Sequence, residues 1–391
     1  MRVLVSFAGG RGHLLPQLPL ARALRDAGHR LALSGAPRAV EGEAVYGLFE
    51  RVLPDPGPAP EQPDGGTGTL ERLGLDHERA VVGRWYAGAL AERRAAAVTS
   101  AVDDWGPDLV VCDEMDFGAV VAAESAGVPG VAVGVIATGA LADAAHVGPR
   151  WSALREAHGL APDPGLDRVR GALQVRPFPV ALEPIGVDLL GAAPVVRVRP
   201  EPPPPEPAHP AVAWLRGAAG VGEPAVHVTL GTIFNTESGD LFARLLAGLA
   251  ALPVRVLATV GADVDPARLG VTPSARLRVE RYVPQDQVLP HVALSVSHGG
   301  SGSVVGALAH GVPVLLAPMG ADQELNAARV EALGVGAVVD ALTATADDVR
   351  RAARALLDDP ALRTAAGAIA EQVAALPPAA SVVPRLESLV G

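Results

Sequence analysis

The chain has 391 residues, 49 % of them hydrophobic and 19 % charged, with a formal net charge of −11. That length exceeds one ordinary core and fits two domains of roughly 150–200 residues each, and the composition is that of a packed α/β protein rather than a disordered chain. The acidity argues against a nucleic-acid partner, which needs a basic face, and the single cysteine, Cys112, leaves no disulfide framework or cysteine-based zinc site.

Met1-Arg2 leads straight into the strand-like Val3–Phe7, with no apolar signal region, and no apolar run approaches the ~18 residues of a membrane span, so a cytoplasmic protein is expected. A glycine-rich turn, Ala8–His13 (AGGRGH), precedes a helix expected over Leu14–Ala27, with Pro16 in its first turn, and a second strand at Arg30–Ser34. Strand, helix and strand with short connections make a βαβ unit in a parallel sheet. The turn lacks full G-x-G-x-x-G spacing, and no acidic residue ends the second strand, which argues against a nicotinamide site. His13 stands at the mouth of this first turn, where open α/β sheets place ligands; the alternative is a capping or packing histidine.

Leu53–Leu75, rich in Pro, Gly, Asp and Glu, reads as a long surface loop of the kind that gates substrates. Arg79–Val102 has helical spacing and carries Trp85 and Tyr86, either core residues or the lining of an apolar pocket. Asp108–Cys112 reads as a buried strand with Asp113 at its carboxyl end, followed by Glu114 and Asp116; Asp116 is also placed to cap the helix Phe117–Ala126. A strand at Val131–Val135 follows, then irregular helix over Thr138–Arg170 containing Trp151, and Pro177–Gly191 should finish the first domain. Pro200–Pro210 (PEPPPPEPAHP) is a semi-rigid linker. The boundaries expected are a first domain over 1–200, a linker over 201–212, a second domain over 213–375 and a terminal helix over 376–391 that packs back on the first.

The second half restarts with a strand, Ala225–Leu230, and the turn Gly231-Thr232; helix Leu241–Leu252, strand Val254–Val260, Arg276–Glu280 and Tyr282-Val283-Pro284-Gln285 follow. Val292–Val296 is apolar enough for a buried strand. Ser297-His298-Gly299-Gly300-Ser301-Gly302 breaks the pattern, helical spacing resumes from Val304 to Leu308, and Gly311-Val312-Pro313 leads into a strand at Val314–Ala317. A glycine turn opening a helix presents free backbone N–H groups to an anion. An ordinary tight βα turn is the alternative, and His298 together with Asp322-Gln323 one strand later favours a diphosphate site.

These residues resemble a known family. VTLGT (Val228–Thr232), RYVPQ (Arg281–Gln285), SHGGSGS with GVPVLLAP, and ADQELNA (Ala321–Ala327) are similar to the donor half of GT-B glycosyltransferases, and RGHLLP (Arg11–Pro16) to their amino-terminal GHxxP. The nearest resemblance is to family-1 bacterial enzymes that decorate antibiotics and other natural products. The resemblance implies two Rossmann-like doubly wound parallel-sheet domains facing across a cleft, and inverting, metal-independent sugar transfer without a cofactor.

It implies His13 as general base and Asp113 as its orienting partner, with Asp116 a second candidate for that place. On the donor side it implies Gly231, Thr232, Tyr282, Val283, Gln285, His298, Gly299, Gly300, Ser301, Gly302, Ser303, Asp322 and Gln323. On the acceptor side it implies Gly12, Trp85, Tyr86, Asp116 and Trp151 around a small apolar or aromatic aglycone. Relatives with a glutamate eight residues after the motif histidine bind both ribose hydroxyls with it; here that position is Gly306, which favours a dTDP-sugar over a UDP-sugar. A GT-B nucleotide-sugar epimerase and a catalytically silent partner protein are the competing readings. The linkage formed stays open among O-, N-, S- and C-glycosides, and so does the oligomeric state, a homodimer included.

Overall fold

Unbroken runs of Val, Leu and Ala such as Val3–Val5 and Leu109–Val111 suit strands covered on both faces, the signature of a parallel sheet. The computed structural model describes residues 1–35, 47–54, 74–135, 137–186, 190–203, 206–219, 222–231, 238–261 and 274–391. In it these runs form two sheets in which every pairing is parallel. The first is built from β1 (Arg2–Ser6), β2 (Arg30–Gly35), β3 (Arg51–Pro54), β4 (Leu109–Asp113), β5 (Gly130–Val133), β6 (Leu173–Arg176) and β7 (Val195–Arg197), in the order β3-β2-β1-β4-β5-β6-β7. The second contains β8 (Ala225–Thr229), β9 (Arg255–Thr259), β10 (Leu277–Glu280), β11 (Leu294–Ser297), β12 (Val314–Leu316) and β13 (Gly336–Val338), in the order β10-β9-β8-β11-β12-β13. These are the two doubly wound domains that the sequence implies.

Each sheet has one place where the winding reverses. In the first, β1 lies between β2 and β4, with Ser6 beside both Ser34 and Cys112. In the second, β8 lies between β9 and β11, with Thr229 beside both Thr259 and Ser297. A crevice opens beyond the carboxyl ends of the strands at such a point, and ligands bind there. Both glycine-rich turns singled out in the sequence leave the sheets at these reversals.

Alternate residues of β1 and β4 feed opposite cores. Val3, Val5, Leu109 and Val111 join Leu20 and Leu24, whereas Leu4, Val110 and Cys112 join Ala95, Val98 and Phe117. The terminal helix Val383–Val390 returns to the first domain, where Val382, Val383 and Leu386 are buried in the cluster containing Val3 and Leu24. Its approach lies against the interdomain linker: Arg199 N donates to Pro377 O at 2.8 Å, and Ala379 N to Glu201 Oε1 at 3.0 Å. Phe178 and Leu182 pack among Leu289, Val304 and Leu308 of the second domain, and Arg329 Nε donates to Ala181 O at 2.5 Å. Among the described residues no single helix is long and apolar enough to cross a membrane.

Several local expectations change. The helix expected over Leu14–Ala27 is a turn at Arg11–Leu14, a 3₁₀ turn at Leu15–Gln17 and a helix from Leu18 to Asp26, because Pro16 and Pro19 each withdraw a backbone donor. The stretch Arg79–Val102 lies within three segments: Gly74–Val81, a π-helical Val82–Ala89 and Leu90–Trp105. The region Thr138–Arg170 resolves into a 3₁₀ turn at Thr138–Leu141 and the helix Ala144–Ala157. Strands β3, β6, β7 and β13 are additional; at three or four residues they are too short to carry a readable pattern. Most of the loop expected at Leu53–Leu75, and Thr232, lie outside the described residues.

Candidate active site

At the first reversal, the pairing of Ser6 with Cys112 brings the turn after β1 alongside Asp113. Asp113 is buried, and it accepts hydrogen bonds from Ala8 N at 2.6 Å and Met115 N at 2.8 Å. His13 Nδ1 lies 3.0 Å from Asp113 Oδ1. A carboxylate only accepts, so its contact favours the tautomer with hydrogen on Nδ1, leaving the lone pair on Nε2. The His13 side chain keeps 17 % exposure. Burial alone would lower its proton affinity, but the charge and hydrogen bond of Asp113, with weaker pulls from Asp322 and Glu114, raise it above the ordinary 6.5.

Below His13, Gln17 Nε2 donates to Ser6 O at 2.9 Å and to His13 O at 3.0 Å, tying the turn to the end of β1. Gly9, at φ +105°, lies against the ring: a Cβ there would stand 3.2 Å from His13 Nε2. A left-handed φ and this close approach together call for glycine.

At the second reversal the histidine is held differently. A Cβ on Gly231, at φ +74°, would come within 2.6 Å of His298 Cε1, and one on Gly300 within 2.5 Å of His298 Nε2. The glycines therefore make room for the imidazole itself. Burial lowers this ring to about 4, so it is neutral at pH 7. The helix Ser301–Ala309 opens immediately afterwards from Gly300, with Gly302 exposed and Ser303 half-buried at its first turn. Its leading amides are those that no intrahelical carbonyl can satisfy.

Ser301 Oγ donates to Asp322 Oδ2, and Asn326 Nδ2 donates to Gly299 O at 2.8 Å and Ser301 Oγ at 3.2 Å. Gln323 Oε1 accepts from Met319 N at 2.7 Å and Gly320 N at 3.3 Å. Between these loops, Ala321 is held at φ +53°, a backbone state costly for any residue with a Cβ. Val283 is buried, Tyr282 is 65 % exposed, and Gln285 opens the short helix Gln285–Val288.

The fold that carries these two reversals is matched over its full length by known proteins. Residues 243–389 match the family model for the C-terminal domain of erythromycin biosynthesis protein CIII-like proteins. Across 100 % of this chain and 99 % of its own length, the 4'-demethylrebeccamycin synthase of Lentzea aerocolonigenes is 31 % identical. The chain belongs to the bacterial natural-product glycosyltransferases of family 1. The elloramycin glycosyltransferase of Streptomyces olivaceus is 32 % identical over 100 % of this chain and 98 % of its own. The solved structure of the glycosyltransferase VinC in complex with dTDP aligns with a TM-score of 0.77 at 25 % identity, over 100 % of this chain and 99 % of that one. That of the glycosyltransferase SnogD from Streptomyces nogalater aligns with a TM-score of 0.77 at 27 % identity, over all of both chains.

For this glycosyltransferase two expected acceptor residues need correcting. Asp116 has 0 % exposure: it receives Ser6 Oγ at 2.5 Å, pairs with Arg94 Nε at 3.1 Å and caps the helix Phe117–Ser125 through Ala119 N at 3.1 Å. It is a buried ion-pair partner, and Asp113 is the carboxylate on His13. Trp151 is also fully buried, its Nε1 donating to Asp163 Oδ2 at 3.0 Å and its ring edge-on to Phe117, so it is core and cannot line a cleft. Trp85 and Tyr86 are half-buried on the π-helical segment, and Gly12 is exposed at the turn.

Arg94, Gln17 and Asn326 are the supporting residues that sequence reading missed. Arg94 looks like an ordinary charged position on a helix, yet it is 1 % exposed beneath the ends of β1 and β2, where it also reaches Ser34 Oγ at 3.1 Å. A polar side chain four residues after the motif histidine was the available signal for Gln17.

Proposed function

We propose that this glycosyltransferase moves a deoxysugar from dTDP to a hydroxyl of a small apolar or aromatic natural product, with inversion at the anomeric carbon and without a metal ion. The observation that carries this is the His13–Asp113 pair at the reversal of the first sheet, 3.0 Å apart.

His13 Nε2 takes the proton from the acceptor O–H as that oxygen forms its bond to the anomeric carbon. The bond from that carbon to the diphosphate breaks on the opposite face, and its electron pair leaves with the nucleotide. Asp113 holds the imidazole in the required tautomer and balances the imidazolium that forms. The first amides of the helix Ser301–Ala309, with Ser303 and neutral His298 as donors, stabilise the charge gathering on the diphosphate. Asp322 and Gln323 hold the sugar hydroxyls, and Val283 with Tyr282 holds the base.

The preference for dTDP rests on Gly306. A Cβ there would point to Gln285 Oε1 at 3.6 Å and Leu289 Cδ1 at 3.4 Å, so this helix face carries no carboxylate toward a ribose 2′-hydroxyl. The VinC complex, which holds dTDP, agrees. Titration calorimetry should show dTDP bound more tightly than UDP, and mass spectrometry should show glycoside formation from a panel of dTDP-sugars and aglycones. Tighter UDP binding would overturn the Gly306 argument; no glycoside from any pairing would overturn the reading as a whole.

A further inference from the structure

Tyr86 lies beside the nitrogen that must accept the proton. Its hydroxyl is 3.5 Å from His13 Nε2, and the two rings lie 5.7 Å apart at 27°. At that separation the direct hydrogen bond is weak. Two polar atoms 3.5 Å apart can nevertheless both reach a third oxygen placed at about 2.8 Å from each.

The backbone is shaped to put the hydroxyl there. Tyr86 sits on the π-helical turn Val82–Ala89, a rare geometry that is frequent at functional sites. The turn is seated by Gly83, where a Cβ would meet His146 O at 2.5 Å, and it breaks at Gly88, whose φ −105° and ψ −119° are not helical. On the other side of His13, a Cβ on Gly9 would stand 3.5 Å from Tyr86 Oη, closing the slot around the two groups.

We propose that Tyr86 donates a hydrogen bond to the attacking atom of the acceptor and thereby selects hydroxyl over amine nucleophiles. This rests on the reading of His13 as general base. A hydroxyl has one hydrogen and two lone pairs. The hydrogen goes to His13 Nε2, one lone pair forms the bond to the anomeric carbon, and the other accepts from Tyr86. A neutral amine has a single lone pair, which the attack consumes, so it leaves Tyr86 unsatisfied. Burial and the neighbouring charges of Asp113 and Asp322 push the Tyr86 phenol up, so it remains a donor across the working pH range.

The test compares Tyr86→Phe with the unmodified enzyme on matched phenol and aniline acceptors of one aromatic scaffold, reading kcat/KM for each and dTDP affinity alongside. The variant should lose about 10–100-fold on the phenol, change less than about threefold on the aniline, and bind dTDP as before. Tyr86→Gln, which returns a donor, should recover part of the phenol-to-aniline ratio; a purely packing role would leave that ratio unmoved in both variants. An unchanged ratio in the presence of normal wild-type transfer overturns this inference and leaves the glycosyltransferase reading standing. Absence of transfer by the wild-type enzyme to any acceptor overturns both.

Discussion

The two sheet reversals shift the proton affinity of the same side chain in opposite directions. His13 is tied to a buried carboxylate and its proton affinity is raised; His298 is packed against Gly231 and Gly300 and its affinity falls to about 4. Both rings are desolvated, which by itself disfavours the charged form. At the first reversal the charge and hydrogen bond of Asp113 override burial, whereas at the second burial prevails. In the proposed mechanism the first ring takes a proton from the acceptor, and the second, neutral, donates a hydrogen bond to the diphosphate. The fold thus supplies two equivalent crevices, and the neighbours of each histidine decide its chemistry.

Removing the first histidine should break the comparison most visibly. His13→Ala is expected to lower kcat by about 10²–10⁴-fold while dTDP affinity, read by calorimetry, stays close to wild type; normal turnover would rule out the general-base role. Because the base must be unprotonated and its pKa is raised, kcat/KM should climb with pH through a limb above 6.5. Asp113→Asn should move that limb to lower pH and reduce the rate as well. A limb that stays in place would mean that Asp113 does not set the proton affinity.

At the other reversal the loss should appear in binding. His298→Ala should weaken dTDP by about 10–100-fold, and Gly300→Ala, whose Cβ would stand 2.5 Å from His298 Nε2, should weaken it in the same direction through the displaced ring. Equal dTDP affinity in both variants would detach His298 from the diphosphate.

The smallest effect concerns stability. His227 is buried on β8 with Nε2 3.0 Å from Thr259 Oγ1, and burial holds its imidazole down to about 4. An unfolded chain titrates this group near 6.5, so between those values the unfolded state binds the extra proton and stability falls as pH drops; above 6.5 the contribution is complete. The loss should approach about 1.4 kcal/mol per pH unit from this group, and urea unfolding of His227→Gln should show a shallower acid slope than wild type. Identical slopes would contradict this.

Much of the site was legible because parallel sheets place strand ends predictably. His13, Asp113 and His298 could each be assigned to a strand's carboxyl end from apolar runs and glycines alone. Which side of a helix faces the cleft could not be read in the same way. Trp151 and Asp116 lie in the expected elements but point into the core, where Asp163 and Arg94 satisfy them. Tyr86 shows the converse: its position depends on a π-helical turn, and a 3.6-residue template assigns the wrong phase to everything beyond Val82. The glycines around His298 were legible as an anion turn, whereas their contact with the ring needed the second strand, β8, to be brought beside the first.

The pairing of Arg199 with Pro377 and of Glu201 with Ala379 makes the junction between the domains a double one. A single tether would let one half swivel freely about the other. Two tethers laid side by side define an axle, and rotation about any other direction has to stretch one of them. Any rotation of one half against the other has to respect both crossings at once, so the chain's two passages between the halves act as a single paired constraint on the crevice.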